Sequence, residues 1–598
     1  MTGDPFVVAH EDVGVYIGKI KRQNHENPTH LQLEPAMAKF LAVKLIVSGE
    51  FCHDSEENRD GRISLKLTCL IFFPIAFALA QVSGVEPDAR SGFQSINAED
   101  LRSYLTYLAS DALQGRETSY PGERLAAAYI ADHFRTFGLR PMGDNGTYLQ
   151  HYSVELVGVS DSTTIVVTKG RANEKFFWTN DFIALGGRDT SISGPVACVG
   201  YTDSKTPVEA KGALAGRVIL VFSGSRTGTA PPAPGGSLRR MFGGGRRDSG
   251  AVAMLIVAED TGAASYPLIV SQMFSAGRGH PRMVLKGEPQ RTGRPGPLTF
   301  IVSPALAGAI LRSAGSSLGE ARRRASTDSL FSPMMMDGIS VALDEKMVRE
   351  ERQAENVVGL LEGSDPVMKH DVVVFSAHFD HLGTGAGGAI YHGADDNGSG
   401  TAMVIDLARA FEKNAVRPKC SLLFLTVSGE EKGLLGSMYY TSHPVVPLEN
   451  TVADFNTDMI GRMDPAHQAS GAGPYAYLIG SDKISTELDS ILRVANRESN
   501  NIEFDYTYNN DSDPNQYYRR SDHYNFARHG VPIAFFFTGV HADYHKPTDT
   551  IEKILFDRIV KIGQVVYYAG WKTANLRGML AKDGTRSGYR ETSPSRGE

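Results

Sequence analysis

The segment of residues 377–400 constrains this chain more than any other. It follows residues 372–375, an apolar run of strand length and β-branched composition, and it leads into a helical pattern. His378, Asp380 and Asp396 therefore lie in a glycine-rich loop between a predicted strand and a predicted helix. Loops at the carboxyl ends of parallel strands are where open α/β sheets bind ligands. Imidazole and carboxylate groups are ligands for divalent metals.

From residue 371 onward, strand patterns and helix patterns alternate along the chain. This alternation predicts an α/β fold, a mixed and mostly parallel sheet with helices on both faces. Three further loops in this half carry acids or histidines shortly after a predicted strand: Glu430-Glu431, Asp458 and Asp543-Tyr544-His545. All four loops are expected at one edge of the sheet, where their side chains would meet.

Metal chemistry in this chain must rest on His, Asp and Glu, because it has only four cysteines and no CxxC pair. Neutral imidazole with carboxylate suits zinc, with manganese or cobalt as alternatives. The loops offer more ligands than one tetrahedral ion needs, which favours two ions bridged by a carboxylate. One glutamate of the Glu430-Glu431 pair can bind metal while its neighbour stays free as a general base.

The chain resembles the co-catalytic dizinc aminopeptidases and exopeptidases, of the bacterial leucyl aminopeptidase and glutamate carboxypeptidase type. Five motifs occur in the order of that family: Ala377-His378-Phe379-Asp380, Gly393-Ala394-Asp395-Asp396, Glu430-Glu431, Asp458 and Asp543-Tyr544-His545. The resemblance covers about 95–150 and 345–575, and it implies the zinc exopeptidase fold.

The resemblance implies a role for each motif residue around two zinc ions. His378 and Asp458 would bind one ion, here called the first metal position. Glu431 and His545 would bind the other, the second metal position, and Asp396 would bridge the two. These assignments extend to residues beside the metals: Asp380 would hydrogen-bond the second ring nitrogen of His378, and Glu430 would be the general base for a water activated by both metals.

Some residues near the motifs fall outside this set. Asp395 is a rival to Asp396 as the bridge, but the fourth position of Gly-Ala-x-Asp favours Asp396. His381 and His392 match none of the ligand positions, and we interpret them as neighbours without a metal. The segment 520–526 also matches the family and is left outside the catalytic set.

The N-terminal 80 residues predict export. Basic residues precede an apolar run at 67–80 that ends in Ala78-Leu79-Ala80, an A-x-A cleavage pattern. A signal peptide at about 62–80 predicts a secreted or periplasmic protein, with residues 1–60 as an extension upstream of it from a misplaced start codon. The apolar run is too short to span a bilayer, so no stable membrane anchor is expected.

The rest of the chain divides into four predicted parts. The peptidase domain begins at 93–155, where a helix over 123–137 is predicted to bury Leu125, Ala128 and Phe134. Residues 156–345, the insert, show short β-like runs and resemble a protease-associated domain. The catalytic part follows at 346–575, and a polar tail predicted to be disordered occupies 576–598.

These observations predict a secreted zinc-dependent aminopeptidase that acts on peptides. A carboxypeptidase of the same fold is the near alternative, and it would need a basic clamp, which arginines of the insert could supply: Arg239, Arg240, Arg246 and Arg247. A non-catalytic, receptor-like relative would have lost metal ligands, and no ligand is missing here. The net charge of -7 gives no reason to expect nucleic acid as a partner.

Overall fold

The computed structural model describes residues 84–584, except 186, 203–211, 225–249, 263, 276–280, 288–296 and 328–330. The predicted extension and signal peptide lie outside the described residues, as do the four arginines of the insert. None of the helices within the described ranges is long and apolar enough to cross a membrane.

The described part of the chain contains two β-sheets. Its strands are β1 Arg140–Pro141, β2 Leu149–Val159, β3 Thr164–Lys169, β4 Ala172–Phe177, β5 Phe182–Ala184, β6 Thr190–Tyr201, β7 Val218–Phe222, β8 Ala253–Val257, β9 Arg282–Leu285, β10 Leu298–Val302, β11 Met334–Glu345, β12 Met347–Leu361, β13 Val372–His378, β14 Ser421–Val427, β15 Thr451–Thr457, β16 Tyr475–Ile479, β17 Glu503–Asp505 and β18 Ile533–Phe537.

The α-helices pack against these sheets. They are α1 Pro87–Ser95, α2 Ala98–Leu108, α3 Pro121–Thr136, α4 Tyr266–Ser275, α5 Pro304–Ser313, α6 Leu318–Thr327, α7 Gly400–Glu412, α8 Leu435–Ser442, α9 Pro465–Ser470, α10 Thr486–Glu498, α11 His523–Arg528 and α12 Phe556–Ala574.

The larger sheet has the order β17-β16-β18-β15-β13-β14-β12-β2-β9, with β1 beside β12. Its four central strands, β14, β13, β15 and β18, are parallel to one another. The strands next to them, β12 and β16, are antiparallel to their central neighbours. The predicted mixed α/β fold is confirmed. Among the described strands of this sheet, parallel pairing is limited to the four central strands and to the β16–β17 pair at one edge.

Both faces of the central strands are covered, which explains their continuous apolar runs. Alternate residues of β13 contribute to different cores, with Val373 and Phe375 on one face and Val372 and Val374 on the other. Helices α7 and α12 belong to the first core, and α8 and α11 contribute to the second. Phe375 packs against Phe424 and two other phenylalanines, with ring centroids 5.4 to 5.6 Å apart.

The second sheet has the order β4-β3-β11-β6-β7-β8-β10-β5 and a hydrophobic core of its own. All its strands lie between Thr164 and Glu345, inside the predicted insert. The strand β9, however, lies within the insert in sequence and pairs with β2 in the larger sheet. The long antiparallel pair β2–β12 leads into and out of the second sheet. The exact domain bounds of 93–155, 156–345 and 346–575 stay a prediction.

Two local predictions were wrong in part. Helix α3 buries Phe134 as predicted, but Leu125 is 47% exposed and Ala128 is exposed as well. The residues buried beside Phe134 are Glu123, Ala126 and Ile130. The helix packs against β12, where the Phe134 ring lies beside Gly359, and this contact fixes its rotation.

The beginning of the predicted disordered tail, 576–584, packs against the domain. Leu580 is buried, and the Asp583 carboxylate accepts hydrogen bonds from the amide and hydroxyl of Thr486 at the start of α10. Residues 585–598 lie outside the described part of the chain.

Candidate metal centre

The parallel central strands bring the motif loops to one edge of the larger sheet. His378 is the last residue of β13 and is paired in register with Val427, the last residue of β14. Asp458 follows the end of β15 directly, and β18 runs parallel beside it. Because parallel strands share their carboxyl-terminal edge, side chains that are far apart in sequence converge there.

Ligand atoms converge in two groups that share the Asp396 carboxylate. In the first group, His378 Nε2 lies 3.5 Å from Asp396 Oδ1 and 3.5 Å from Asp458 Oδ1. On the other side, His545 Nε2 lies 3.1 Å from Asp396 Oδ2 and 3.3 Å from Glu431 Oε2. Asp396 therefore directs one oxygen toward each group, as a bridging carboxylate would.

These residues fit divalent metal ions. Two ligand atoms about 2.0–2.1 Å from one tetrahedral zinc are about 3.3 Å apart, which matches the separations in both groups. Several of the atoms concerned are buried and have no hydrogen-bond partner within the described residues: His378 Nε2, Asp396 Oδ2, Glu431 Oε1 and Asp458 Oδ1. Buried polar atoms without partners are costly, and a shared cation would satisfy them. The nitrogen and oxygen donor set suits zinc.

The electrostatics of the cluster indicate an excess of buried negative charge. Burial raises the pKa of Glu430 well above its usual range, and the neighbouring Glu431 and Asp458 carboxylates raise it further against the effect of His378. Burial also opposes the charge of Glu431, but the imidazoles of His381 and His545 outweigh it and hold the pKa of that carboxyl well below its usual range. Bound cations would neutralise this cluster.

The Asp380 carboxylate plays a different part from the one predicted. His378 Nδ1 lies 3.2 Å from the Asp380 main-chain oxygen but 3.7 Å from its Oδ1, so the carbonyl is the hydrogen-bond partner of the imidazole. The carboxylate instead accepts hydrogen bonds from the amides of Glu430 at 3.1 Å and Glu431 at 3.4 Å. It therefore positions the turn that carries the two glutamates.

Asp395, the rival to Asp396, faces away from both ligand groups. Its Oδ2 lies 3.2 Å from Nε2 of the buried His541, and its Oδ1 accepts a hydrogen bond of 2.6 Å from the Gly461 amide. The Asp549 carboxylate accepts from the amides of both Asp395 and Asp396. This network fixes the backbone that carries the Asp396 carboxylate.

Two residues that support the centre were missed by sequence reasoning. Arg116 is fully buried, and its guanidinium donates to the carbonyls of Phe379 at 2.7 Å and Gly393 at 2.9 Å. It thereby ties the two ends of the 377–400 segment together. Burial lowers the pKa of Arg116 to about 10, although nearby carboxylates, Asp380 first among them, oppose this shift. The Thr118 hydroxyl donates to Asp380 Oδ2 at 2.8 Å.

Arg116 and Thr118 lie in a short polar connection between α2 and α3, where the sequence carries no periodic pattern. The only signal available was a charged and hydroxyl-bearing triplet, Arg116-Glu117-Thr118, between two predicted helices. Glu117 also contributes, since Lys432 beside the glutamate pair donates to it at 2.9 Å. Loop residues of this kind become recognisable only when the loop is seen against the site.

The 520–526 segment lies behind the centre. Asp522 is buried and accepts a hydrogen bond of 2.6 Å from the Ser437 hydroxyl, and Ser521 accepts one of 3.0 Å from Asn456 on β15. Neither belongs to the converging ligand groups. His392 also lies apart, since its Nε2 is 2.7 Å from Asp111 near the surface.

The fold and this donor set fit a centre for divalent metal ions, and a family match covers the same residues. Residues 356–570 match the model of Peptidase family M28. That stretch includes all the predicted ligands, and the match confirms the resemblance that the five motifs carry.

Curated relatives match a similar share of the chain. Aminopeptidase YwaD of Bacillus subtilis is 27% identical over 225 residues, which cover 36% of this chain and 43% of that protein. Leupeptin-inactivating enzyme 1 of Streptomyces exfoliatus is 27% identical over 245 residues, covering 39% of this chain and 47% of that protein. The chain thus spans less than half the length of these curated relatives.

A similar solved structure is the aminopeptidase from Aneurinibacillus sp. strain AM-1. It is 19% identical, with a TM-score of 0.46, and the alignment covers 83% of this chain and 98% of that chain.

Proposed function

We propose that this protein is a secreted zinc-dependent aminopeptidase that removes N-terminal residues from peptides, using two metal ions and Glu430 as the general base. One observation carries the proposal: the Asp396 carboxylate directs its two oxygens to two separate ligand groups. The family match over 356–570 and the aminopeptidase names of the relatives support the reaction class.

In the proposed reaction, His378 and Asp458 would hold one ion, Glu431 and His545 would hold the other, and Asp396 would supply an oxygen to each. Bound zinc would polarise the scissile carbonyl and favour deprotonation of water near neutral pH. Glu430 accepts the proton of the attacking water and returns it to the leaving amine. Burial, together with the adjacent carboxylates, raises the pKa of Glu430 and so favours its protonated form, which is the form it takes after accepting this proton.

Asp380 and Arg116 contribute by positioning. The hydrogen bond from the Glu430 amide to Asp380 Oδ1 fixes the turn on which the base is mounted. The guanidinium of Arg116 holds the loop that carries Asp380 at one end and precedes Asp396 at the other. Misplacement of reacting groups by about 1 Å can cost about 10²-fold in rate, so both residues are expected to affect turnover.

Secretion and the role of the insert belong to the same proposal. The signal-like pattern at about 62–80 supports export. A second sheet with its own core supports an insert that acts as a protease-associated module and governs substrate access. N-terminal sequencing of protein recovered from the medium or periplasm tests export. Deletion of the insert tests access, since an unchanged substrate preference would contradict that role.

A carboxypeptidase is the second candidate, and one observation favours it. Arg520 Nη2 lies 3.2 Å from the hydroxyl of Tyr544, whose ring stacks on the His545 ring with centroids 3.8 Å apart. A guanidinium so near the second metal position is placed where it could bind the terminal carboxylate of a peptide.

A substrate panel separates the two activities. Peptides with a free N-terminus and their N-acetylated equivalents would be incubated with the zinc-loaded protein, with and without a chelator. The aminopeptidase proposal expects chelator-sensitive release of N-terminal residues and no cleavage of the acetylated peptides. Release of C-terminal residues from acetylated peptides, abolished in Arg520→Ala, would establish the carboxypeptidase instead.

A further inference from the structure

His381 lies in the metal centre although no ligand role is assigned to it by the motif comparison. Its side chain is fully buried, and its Nδ1 lies 2.8 Å from Glu431 Oε1 and 3.9 Å from Asp396 Oδ2. Among the described residues, the ligand atoms of His381, Asp396 and Glu431 lie close enough together to hold one metal ion. His381 therefore approaches the same two carboxylates as His545. The sequence interpretation of His381 as a neighbour without a metal does not account for this position.

A hydrogen bond does not explain the contact between His381 and Glu431. Although their atoms are close, neither His381 Nδ1 nor Glu431 Oε1 has a hydrogen-bond partner of acceptable geometry within the described residues. The His381 Nε2 atom likewise has none there. A buried imidazole with both nitrogens unpaired is costly. Two lone pairs that approach each other without bonding are instead expected when both point at a common cation.

The distances agree with a shared ion. Two donor atoms on one tetrahedral zinc are about 3.3 Å apart, and the separations from His381 Nδ1 to the two carboxylates, 2.8 and 3.9 Å, lie on either side of that value. The His545 ring approaches the same two carboxylates from the exposed side, with its centroid 5.9 Å from that of His381. The carboxylates thus have one imidazole on the buried side and one on the exposed side.

Other residues hold the His381 ring in this position. Its amide donates to the Arg116 carbonyl at 3.1 Å, so the same residue that ties the loop together also fixes the His381 backbone. Gly393 lies against the ring, and a Cβ atom at that position would come within 2.5 Å of it. Gly393 also has a φ of 55°, in the left-handed region that glycine tolerates. The absence of a side chain there makes room for the imidazole.

We propose that His381 is a ligand of the second metal position, through Nδ1 and together with His545, Glu431 and the bridging Asp396. This inference rests on the two-metal centre of the proposed function and adds a donor to it. The proton of the neutral imidazole is then on Nε2.

The added imidazole makes the two metal positions chemically unequal. The second position holds two histidines and two carboxylates, whereas the first holds one histidine and two carboxylates. Imidazole suits zinc, while carboxylate-rich sites also suit magnesium and manganese. The second position is therefore expected to keep zinc longer during stepwise removal by a chelator, and the first to exchange its ion more readily.

X-ray absorption at the zinc edge tests the ligand directly in the wild-type protein, without any mutation. Multiple scattering from imidazole gives the number of histidines for each zinc. With His381 bound, two ions share three imidazoles, namely those of His378, His381 and His545. Two imidazoles shared by two ions would overturn the inference.

Metal affinity in a variant gives a second, independent measurement. In His381→Gln, the affinity for the more tightly held zinc is expected to fall by more than about 100-fold, beyond the usual effect of losing a hydrogen-bond partner behind a ligand. The matched control is His392→Gln, which removes a histidine of the same segment whose side chain pairs with Asp111 away from the carboxylates. Circular dichroism and thermal melts of both variants check folding.

The outcomes separate this inference from the proposed function. Wild-type protein that binds two zinc ions, with no change of affinity in His381→Gln, refutes the ligand role of His381 and leaves the two-metal centre intact. Wild-type protein that binds fewer than two ions refutes the centre itself. A loss of affinity in His381→Gln, with normal affinity in His392→Gln and three imidazoles by absorption, supports His381 as a ligand.

Discussion

Replacing Glu430 with glutamine should remove the general base and leave the metal positions in place. Glutamine has nearly the same shape as glutamate but cannot accept the proton of the attacking water. Glu430 belongs to neither of the converging ligand groups. The hydrogen bond that fixes its turn uses its main-chain amide, which donates to Asp380 at 3.1 Å and is unaffected by the substitution.

The size of the effect follows from the single role that the side chain holds. A positioned general base contributes about 10²–10⁴-fold to a rate. At 1.36 kcal/mol for each factor of ten, the expected loss of transition-state stabilisation is about 2.7–5.4 kcal/mol. Because the ligand groups and the positioning contacts stay, KM should change little and the loss should be found in kcat.

The assay measures kcat, KM and zinc content on the same preparations. An aminoacyl substrate with a chromogenic leaving group reports turnover, and plasma emission spectrometry reports zinc per chain. Glu449→Gln, at an exposed glutamate before β15, is the matched control and should match the wild type in all three quantities.

Two results would refute the reasoning. If Glu430→Gln loses one zinc along with its turnover, Glu430 is a ligand and the base is elsewhere. If it keeps both ions and loses less than about tenfold in kcat, a general base at this position is too weak to account for catalysis.

Three further predictions follow from burial and charge. Burial raises the pKa of Asp454 to about 8, against about 3.9 in an unfolded chain. The protonated Asp454 side chain therefore contributes fully to the free energy of unfolding below about pH 4, and this contribution is lost as the pH rises through 8. Asp454→Asn should flatten the fall of Tm over this range, measured by calorimetry against the wild type. Removal of zinc by a chelator leaves Asp396, Glu431 and Asp458 as unneutralised buried carboxylates, so Tm should fall and should recover when zinc is added. At a zinc concentration about 1,000 times Kd, binding adds about 4.1 kcal/mol to the free energy of unfolding. A Tm independent of zinc would contradict the metal centre. Phe375→Ala opens a cavity between three aromatic rings and should lower the free energy of unfolding by about 3–5 kcal/mol in denaturant titration, whereas an unchanged midpoint would contradict the packing described for β13.

The sequence was most informative where local pattern and chemistry coincide. Apolar runs of strand length predicted β13, β14, β15 and β18 because strands buried on both faces have continuous apolar sequences. The polar residues that end each run predicted the edge at which His378, Asp396 and Asp458 converge, since parallel strands place their carboxyl ends together. Both inferences need only the order of residues along the chain.

The orientation of side chains across different elements could be decided only by the tertiary structure. Periodicity shows that α3 is amphipathic, but its contact with β12 decides that Glu123 is buried and Leu125 exposed. The spacing of His378 and Asp380 places them in one loop, but the path of the backbone decides that the carbonyl, not the carboxylate, bonds the imidazole. Such choices depend on distances between residues that are remote in sequence.

The 377–400 segment shows the same division within a few residues. Its composition and its place between a strand and a helix predicted that it would supply metal ligands, because imidazole and carboxylate groups at a sheet edge are suited to that role. Only the tertiary structure showed which contacts each of its histidines makes. Arg116, from a connection more than 250 residues earlier, and the space beside Gly393 place His381 against Glu431, while His392 turns toward Asp111.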